Sequence, residues 1–249
     1  MIEYCLKTLK IDPNVCTETN RSPLYNLCKA QNISTQLILY LIENKADPKI
    51  NTSENMNCSH LITQNKKLNI DMLKILAEKK CDFTLVDDKG NSTLNYLCFN
   101  GSVSLEMVDY LLKLKVDPKT KNKKNQTCLF GLHNNTPSFY EIFKLLLSHN
   151  VDVNVQEKDY QYAVLHELRY KIDSKLIDLF IQHKADLNLT SNVGETILLS
   201  YSIYGSNFSF LHFIFYFLFI YYFIFFLKIR ISGSDKENGR KWGKYSCSE

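Results

Sequence analysis

Leu37-Ile38-Leu39-Tyr40-Leu41-Ile42-Glu43-Asn44-Lys45-Ala46-Asp47-Pro48 decides how this chain folds, because its pattern recurs. Apolar residues at 37, 38, 41 and 42 place one wide stripe on a single helical face. Pro48 cannot continue that helix and marks a stop. The same apolar set precedes Asp82 (Met72, Leu73, Leu76, Ala77) and Asp117 (Met107, Val108, Leu111, Leu112). It returns before Asp152 (Ile142, Phe143, Leu146, Leu147) and Asp186 (Leu176, Ile177, Phe180, Ile181). With Asp12 the aspartates stand 35, 35, 35, 35 and 34 residues apart. A fixed period of this length marks a repeat architecture. Repeats of this kind stack into extended surfaces, which favours binding over catalysis.

Each aspartate follows a small or β-branched residue or a cysteine: Ile11, Ala46, Cys81, Val116, Val151 and Ala185. Pro13, Pro48 and Pro118 come directly after three of them. Polar segments follow, such as Asp87-Asp88-Lys89-Gly90, and read as exposed turns. The aspartates themselves read as turn formers that bond to nearby backbone amides. After each turn a second start signal appears: Ser22-Pro23-Leu24-Tyr25, Cys58-Ser59-His60, Thr93-Leu94-Asn95, Thr127-Cys128-Leu129-Phe130, Val164-Leu165-His166 and Thr196-Ile197-Leu198-Leu199. A hydroxyl just before an apolar run suits a helix N-cap. The unit is therefore a short helix, a link, a longer amphipathic helix, an aspartate turn and a polar loop.

This unit resembles the ankyrin repeat, with its Thr-Pro-Leu-His start, paired antiparallel helices and terminal Gly-Ala-Asp. The closest matches are Ser22-Pro23-Leu24-Tyr25, Val164-Leu165-His166, Lys45-Ala46-Asp47 and Lys184-Ala185-Asp186. The resemblance implies an all-α solenoid. Its expected divisions are a half repeat over 1–19, five repeats over 20–193 (20–54, 55–89, 90–124, 125–159, 160–193) and an incomplete sixth over 194–207.

The departures from the family pattern are systematic. Its glycine is Lys45, Lys80, Lys115, Asn150 or Lys184 here. That position needs φ > 0, so a side chain there costs on the order of 1 kcal/mol. The family's first-helix alanine is Leu27, Ile62, Leu97, Leu132 or Leu168. Larger residues there either push neighbouring helices apart or need small partners. Repeat two reads as the weakest copy, since Ser59 stands where leucine is expected.

No phosphate-binding glycine loop or dinucleotide fingerprint occurs. His166-Glu167 opens like a metalloprotease motif, but Tyr170 stands where the second histidine would be. The resemblance gives His166, and His60 at the matching position, a structural hydrogen bond. The eight cysteines form no C-x-x-C pair and read as buried reduced thiols. No catalytic residue, metal ligand, cofactor or small-molecule substrate is expected. Net charge is +4 and basic residues are spread through every repeat, so no nucleic-acid stripe forms.

The second large feature is Phe208 to Leu227, twenty residues without a charge, nine of them Phe. That length matches a membrane-spanning helix. Fifteen Phe, Ile and Leu residues give an upper bound of about −4 to −9 kcal/mol for insertion. Two cues conflict over its orientation. Lys228, Arg230 and the basic tail would lie in the cytosol and leave the repeats outside. The unpaired cysteines favour a reducing, cytoplasmic setting for the repeats. Met1 to Lys10, with Glu3 and two lysines, also lacks the apolar core of a signal peptide. The span further begins where a sixth repeat should build its second helix, a texture that a retained intron would also give. A single-pass anchor and a gene-model artefact both remain open. Residues 228–249 are polar and basic and read as disordered.

The expected function is a non-enzymatic module, an adaptor or scaffold whose loop tips and first helices meet a protein partner. The expected contact residues are Asn51, Glu54, Asp87, Asp88, Lys89, Lys121, Lys123, Lys124, Glu157, Lys158 and Asp159. The alternative is the regulatory part of a larger enzyme or channel, which a transcript running past Glu249 would favour.

Overall fold

Why each helix stops where it does explains most of the architecture. In the computed structural model, which describes residues 6–30, 33–132, 138–168 and 174–204, helix α2 (Thr35–Glu43) follows α1 (Pro23–Lys29). Ser22 caps α1, accepting from the Tyr25 amide at 3.2 Å, and Ser34 caps α2, accepting from Leu37 at 3.2 Å. At the far end of α2, Lys45 turns to φ 71°. Its amide reaches the Ile42 carbonyl at 3.0 Å, and the Ala46 amide reaches Leu41 at 2.9 Å. That pair of bonds is the Schellman closure, which satisfies two orphan carbonyls and turns the next residue inward. Ala46 is accordingly buried. Cys81, Val116 and Val151 are buried before their aspartates in the same way, which restricts the size of the side chain there.

The same pair of bonds closes the second helices of repeats two, three and five. Helices α3 (Cys58–Gln64) and α4 (Ile70–Glu78) form the next pair, and α5 (Thr93–Phe99) and α6 (Leu105–Lys113) the third. A single 3₁₀ turn (Cys128–Gly131) precedes α7 (Phe139–Ser148), then come α8 (Val164–Glu167), α9 (Ser174–Gln182) and α10 (Ile197–Tyr204). Lys80, Lys115, Asn150 and Lys184 all sit at φ between 58° and 64°, as expected for the glycine position.

The short first helices pack in one row and the longer second helices in another. Between the rows lies the core, including Leu24, Ile38, Ile62, Leu73, Leu97, Leu111, Phe143 and Phe180. Burying a Leu or Phe side chain contributes roughly 1.5–3 kcal/mol. One glycine allows the first helices of repeats three and four to approach closely. Gly131 lies so close to α5 that an added Cβ would stand 2.5 Å from the Phe99 nitrogen.

Repeat two is not the weak copy that Ser59 suggested. Its hydroxyl bonds Asn57 at 2.6 Å and the Asp82 carbonyl at 3.1 Å, and α3 keeps seven residues with a capping box. The shortened first helices are those of repeats four and five, each four residues long. In repeat four, Phe130 occupies the position where Asn95 or His60 reaches back to the cap, so the buried Thr127 hydroxyl has no partner.

The described residues form one unit, which ends at Tyr204. The expected span at 208–227 and the tail at 228–249 lie outside the described residues. Among the described residues no helix is long and apolar enough to cross a membrane.

Candidate protein-interaction surface

The segments expected as plain polar loops are tight hairpins. Amide-to-carbonyl bonds close them at Thr17–Arg21 (3.2 Å), Thr52–Met56 (2.7 Å), Asp87–Asn91 (3.0 Å), Asn122–Gln126 (3.0 Å), Glu157–Tyr162 (2.9 Å) and Ser191–Glu195 (2.9 Å). Each hairpin holds one residue at positive φ: Asn20, Asn55, Gly90, Asn125, Gln161 and Gly194. Asparagine and glycine tolerate that conformation best. Asn55 and Asn125 also extend their side-chain amides to Val86 and Gln156 carbonyls of the next hairpin, both at 2.7 Å.

A second polar series fastens every hairpin from within. Thr17, Thr52, Asp87, Asn122, Glu157 and Ser191 each accept, through a side-chain oxygen, from the amide that leaves the turn, at 2.8–3.2 Å. Their spacing is 35, 35, 35, 35 and 34, the same clock as the aspartates. That periodicity was the available signal for a set of residues the sequence reading did not single out. Asn65 and Asn100 form another overlooked pair, 35 apart. Asn65 donates to the Cys28 and Ala30 carbonyls at 3.0 and 2.9 Å, and Asn100 to Thr63 and Asn65, both at 2.8 Å. Each ties one first helix to its predecessor.

The hairpins are also joined to one another. The Ser53 amide donates to Thr19, Asp88 to Glu54, Lys123 to Lys89, Lys158 to Lys124 and Asn192 to Tyr160, at 2.8–3.3 Å. Six tips thus form one continuous ladder, with backbone conformation fixed by hydrogen bonds at every step.

The expected contact residues divide on this ladder. Glu54, Asp88, Lys89, Lys121, Lys123, Lys124, Lys158 and Asp159 are exposed at the tips. Lys124 pairs with Asp159 at 3.2 Å and Glu54 with Arg21 at 3.6 Å, exposed pairs that contribute little to stability. Asn51 is half-buried, its carbonyl engaged by Asn20. Asp87 and Glu157 point inward, 5% and 4% exposed. The Asp87 carboxylate accepts from the Lys89 and Asn91 amides and from the Tyr96 hydroxyl. Glu157 accepts from the amides of Asp159, Tyr160 and Tyr162. These two carboxylates build the tips rather than face a partner.

The six periodic aspartates act as expected. Each accepts through Oδ1 from the amide two residues on, at 2.8–2.9 Å. Among the described residues no group of His, Cys, Asp and Glu could hold a metal ion. His60 accepts from the Asn57 amide through Nδ1 at 3.3 Å and places Nε2 3.1 Å from the Leu85 carbonyl. His166 repeats this arrangement with Ala163 (3.1 Å) and Glu195 (3.1 Å). Burial lowers the His60 pKa, against the opposing pull of Asp87, the Leu85 carbonyl and Asp82. Cys28, Cys58, Cys81, Cys98 and Cys128 are buried free thiols. A thiol–thiol hydrogen bond with Cys28, then burial, raises the Cys58 pKa, and Cys128 does the same for Cys98.

Paired helices with Schellman closures, aspartate turns and stacked hairpin tips agree with the sequence comparison. The chain belongs to the ankyrin-repeat family: the family model, ankyrin repeats in three copies, matches residues 24–122 and again 60–157, together more than half the chain. No curated protein matches it. Ankyrin repeats mark a protein–protein interaction module, and domains built from them are generally non-catalytic.

Proposed function

We propose that this chain is an adaptor or scaffold that docks a protein partner on its ladder of hairpin tips. The observation that supports this reading is the ladder itself. A row of exposed charged side chains on backbone held by inter-hairpin hydrogen bonds loses little conformational entropy on binding. We place the repeats in the cytoplasm, where their buried free thiols stay reduced.

Photo-crosslinking tests the docking surface. A benzophenone side chain at position 123, on a tip, should join to a partner protein in cell extract; the same group at 144, on α7, should not. Adducts from 144 alone would overturn the proposal.

The proposal includes a tether through residues 208–227, supported by their length and lack of charge. Alkaline carbonate should then leave the full chain in the membrane pellet and release a chain ending at 204. Release of both would remove the tether.

A further inference from the structure

The tips are not alike, and their differences run in order along the ladder. The first tips carry Glu18 and Glu54; the third carries Asp88 and Lys89. The fourth and fifth carry Lys121, Lys123, Lys124 and Lys158, with Asp159 held by Lys124. Among the described residues, Lys89, Lys121, Lys123 and Lys158 have no carboxylate within ion-pair distance. The fifth and sixth tips end the ladder in exposed apolar surface, Tyr160 at 60% and Val193 at 72% exposure. Tyr160 rests against Tyr162, ring centroids 5.7 Å apart, and Tyr162 lies on His166 at 5.5 Å. The aromatic edge is thus backed by a buried histidine.

The spacing is set by backbone hydrogen bonds rather than by flexible side chains. The Lys123 amide meets the Lys89 carbonyl at 2.8 Å, Lys158 meets Lys124 at 3.0 Å, and Asn192 meets Tyr160 at 2.9 Å. Each hairpin contributes two chain segments, so equivalent residues of successive tips, such as Lys123 and Lys158, lie about two strand spacings apart, roughly 10 Å, while Lys89 and Lys123 are direct neighbours. An extended peptide rises about 3.3 Å per residue, so side chains three residues apart are also separated by roughly 10 Å.

We propose, resting on the tip-docking reading above, that the third to sixth tips bind an extended acidic segment of a partner protein. Carboxylates about three residues apart meet the neighbouring Lys89 and Lys123 at one point and Lys158 at the next. An aromatic or large aliphatic side chain follows them and packs on Tyr160 and Val193. Charge complementarity selects the acidic part, and the apolar end fixes its direction. A nucleic-acid strand would match the lysines and stack a base on Tyr160, but would leave Val193 without a counterpart.

The test uses the full chain and a short fluorescein-labelled peptide with glutamate at every third position and a C-terminal tryptophan. Fluorescence anisotropy should show binding that weakens as salt rises. Replacing the peptide's glutamates by lysine should abolish it. Lys89→Glu, Lys123→Glu and Lys158→Glu together should weaken it by about tenfold or more, and Tyr160→Ser by several-fold. Lys144→Glu with Lys175→Glu, on the second helices, should leave it unchanged. All these positions are exposed, and helical circular dichroism confirms that each variant folds. Equal binding of the lysine peptide would overturn the proposal. So would a single-stranded oligonucleotide that binds more tightly than the acidic peptide and is lost in the same triple variant. A partner crosslinked at position 123 without acidic-peptide binding would sink the acidic class while leaving the tip surface standing. Failure of both would remove the surface as well.

Discussion

The main-chain amide of Lys123 donates to the carbonyl of Lys89 at 2.8 Å, which makes two residues 34 positions apart direct neighbours. Equivalent bonds at the other tips convert polar loops into a ladder. The repeat's role in function follows from this step: backbone bonds, beside the packed core, hold the tip side chains of successive repeats in register.

Asp87 and Asp88 are adjacent in sequence and opposite in structure. Asp87→Ala should destabilise the chain by about 2–4 kcal/mol, because it strips two hairpin amides and the Tyr96 hydroxyl of their acceptor. Asp88→Ala should stay within about 0.5 kcal/mol. The shift in urea midpoint measures both.

Lys115 occupies the left-handed region at φ 64°. Lys115→Gly should stabilise by about 0.5–1 kcal/mol, since the relief of Cβ strain outweighs glycine's larger unfolded-state entropy there. A lower urea midpoint for this variant would show that the position carries no strain.

Gly131 and Gly101 separate close approach from backbone conformation. Gly131→Ala should cost about 3 kcal/mol, because the new Cβ meets α5 backbone. Gly101 has φ +73° with nothing within 4 Å, so its alanine variant should cost about 1 kcal/mol through conformation alone. Thermal or urea unfolding of the two variants checks the order.

His60 supplies a pH dependence. Burial lowers its folded pKa below the unfolded value of 6.5, so the unfolded chain binds its proton first. The stability contributed by the neutral ring is complete above pH 6.5 and is lost as pH falls through the folded pKa. The slope for one proton reaches at most about 1.4 kcal/mol per pH unit. His60→Gln should be less stable at pH 7.5 and should lose less stability between pH 7 and pH 5 than the parent chain. Identical slopes would show that another group governs this window.

The residues themselves show what could be read in advance. Asp47 and its counterparts were legible because a turn of this kind needs one carboxylate per turn, at a fixed offset from the helix end. The strained lysines were legible because the Schellman closure demands φ > 0 whatever side chain is present. Asp87 and Glu157 were misleading, since a carboxylate in a polar loop reads as exposed until its amide partners are seen. The series through Thr17, Thr52, Asp87, Asn122, Glu157 and Ser191 mixes five residue types, and only the shared acceptor oxygen unites them. The shortened first helix of repeat four rests on Phe130 and Gly131, whose effect depends on the cap and on α5.

The central claim is that the tips, and not the second helices, are the partner surface. The most direct measurement is the affinity of a partner recovered by crosslinking for three forms of the full chain. These are the parent, a tip variant with Lys121→Glu, Lys123→Glu and Lys124→Glu, and a second-helix variant with Lys144→Glu and Lys175→Glu. The tip variant should bind about tenfold more weakly or worse, and the second-helix variant like the parent. Unchanged binding by the tip variant, with loss in the second-helix variant, would contradict the account.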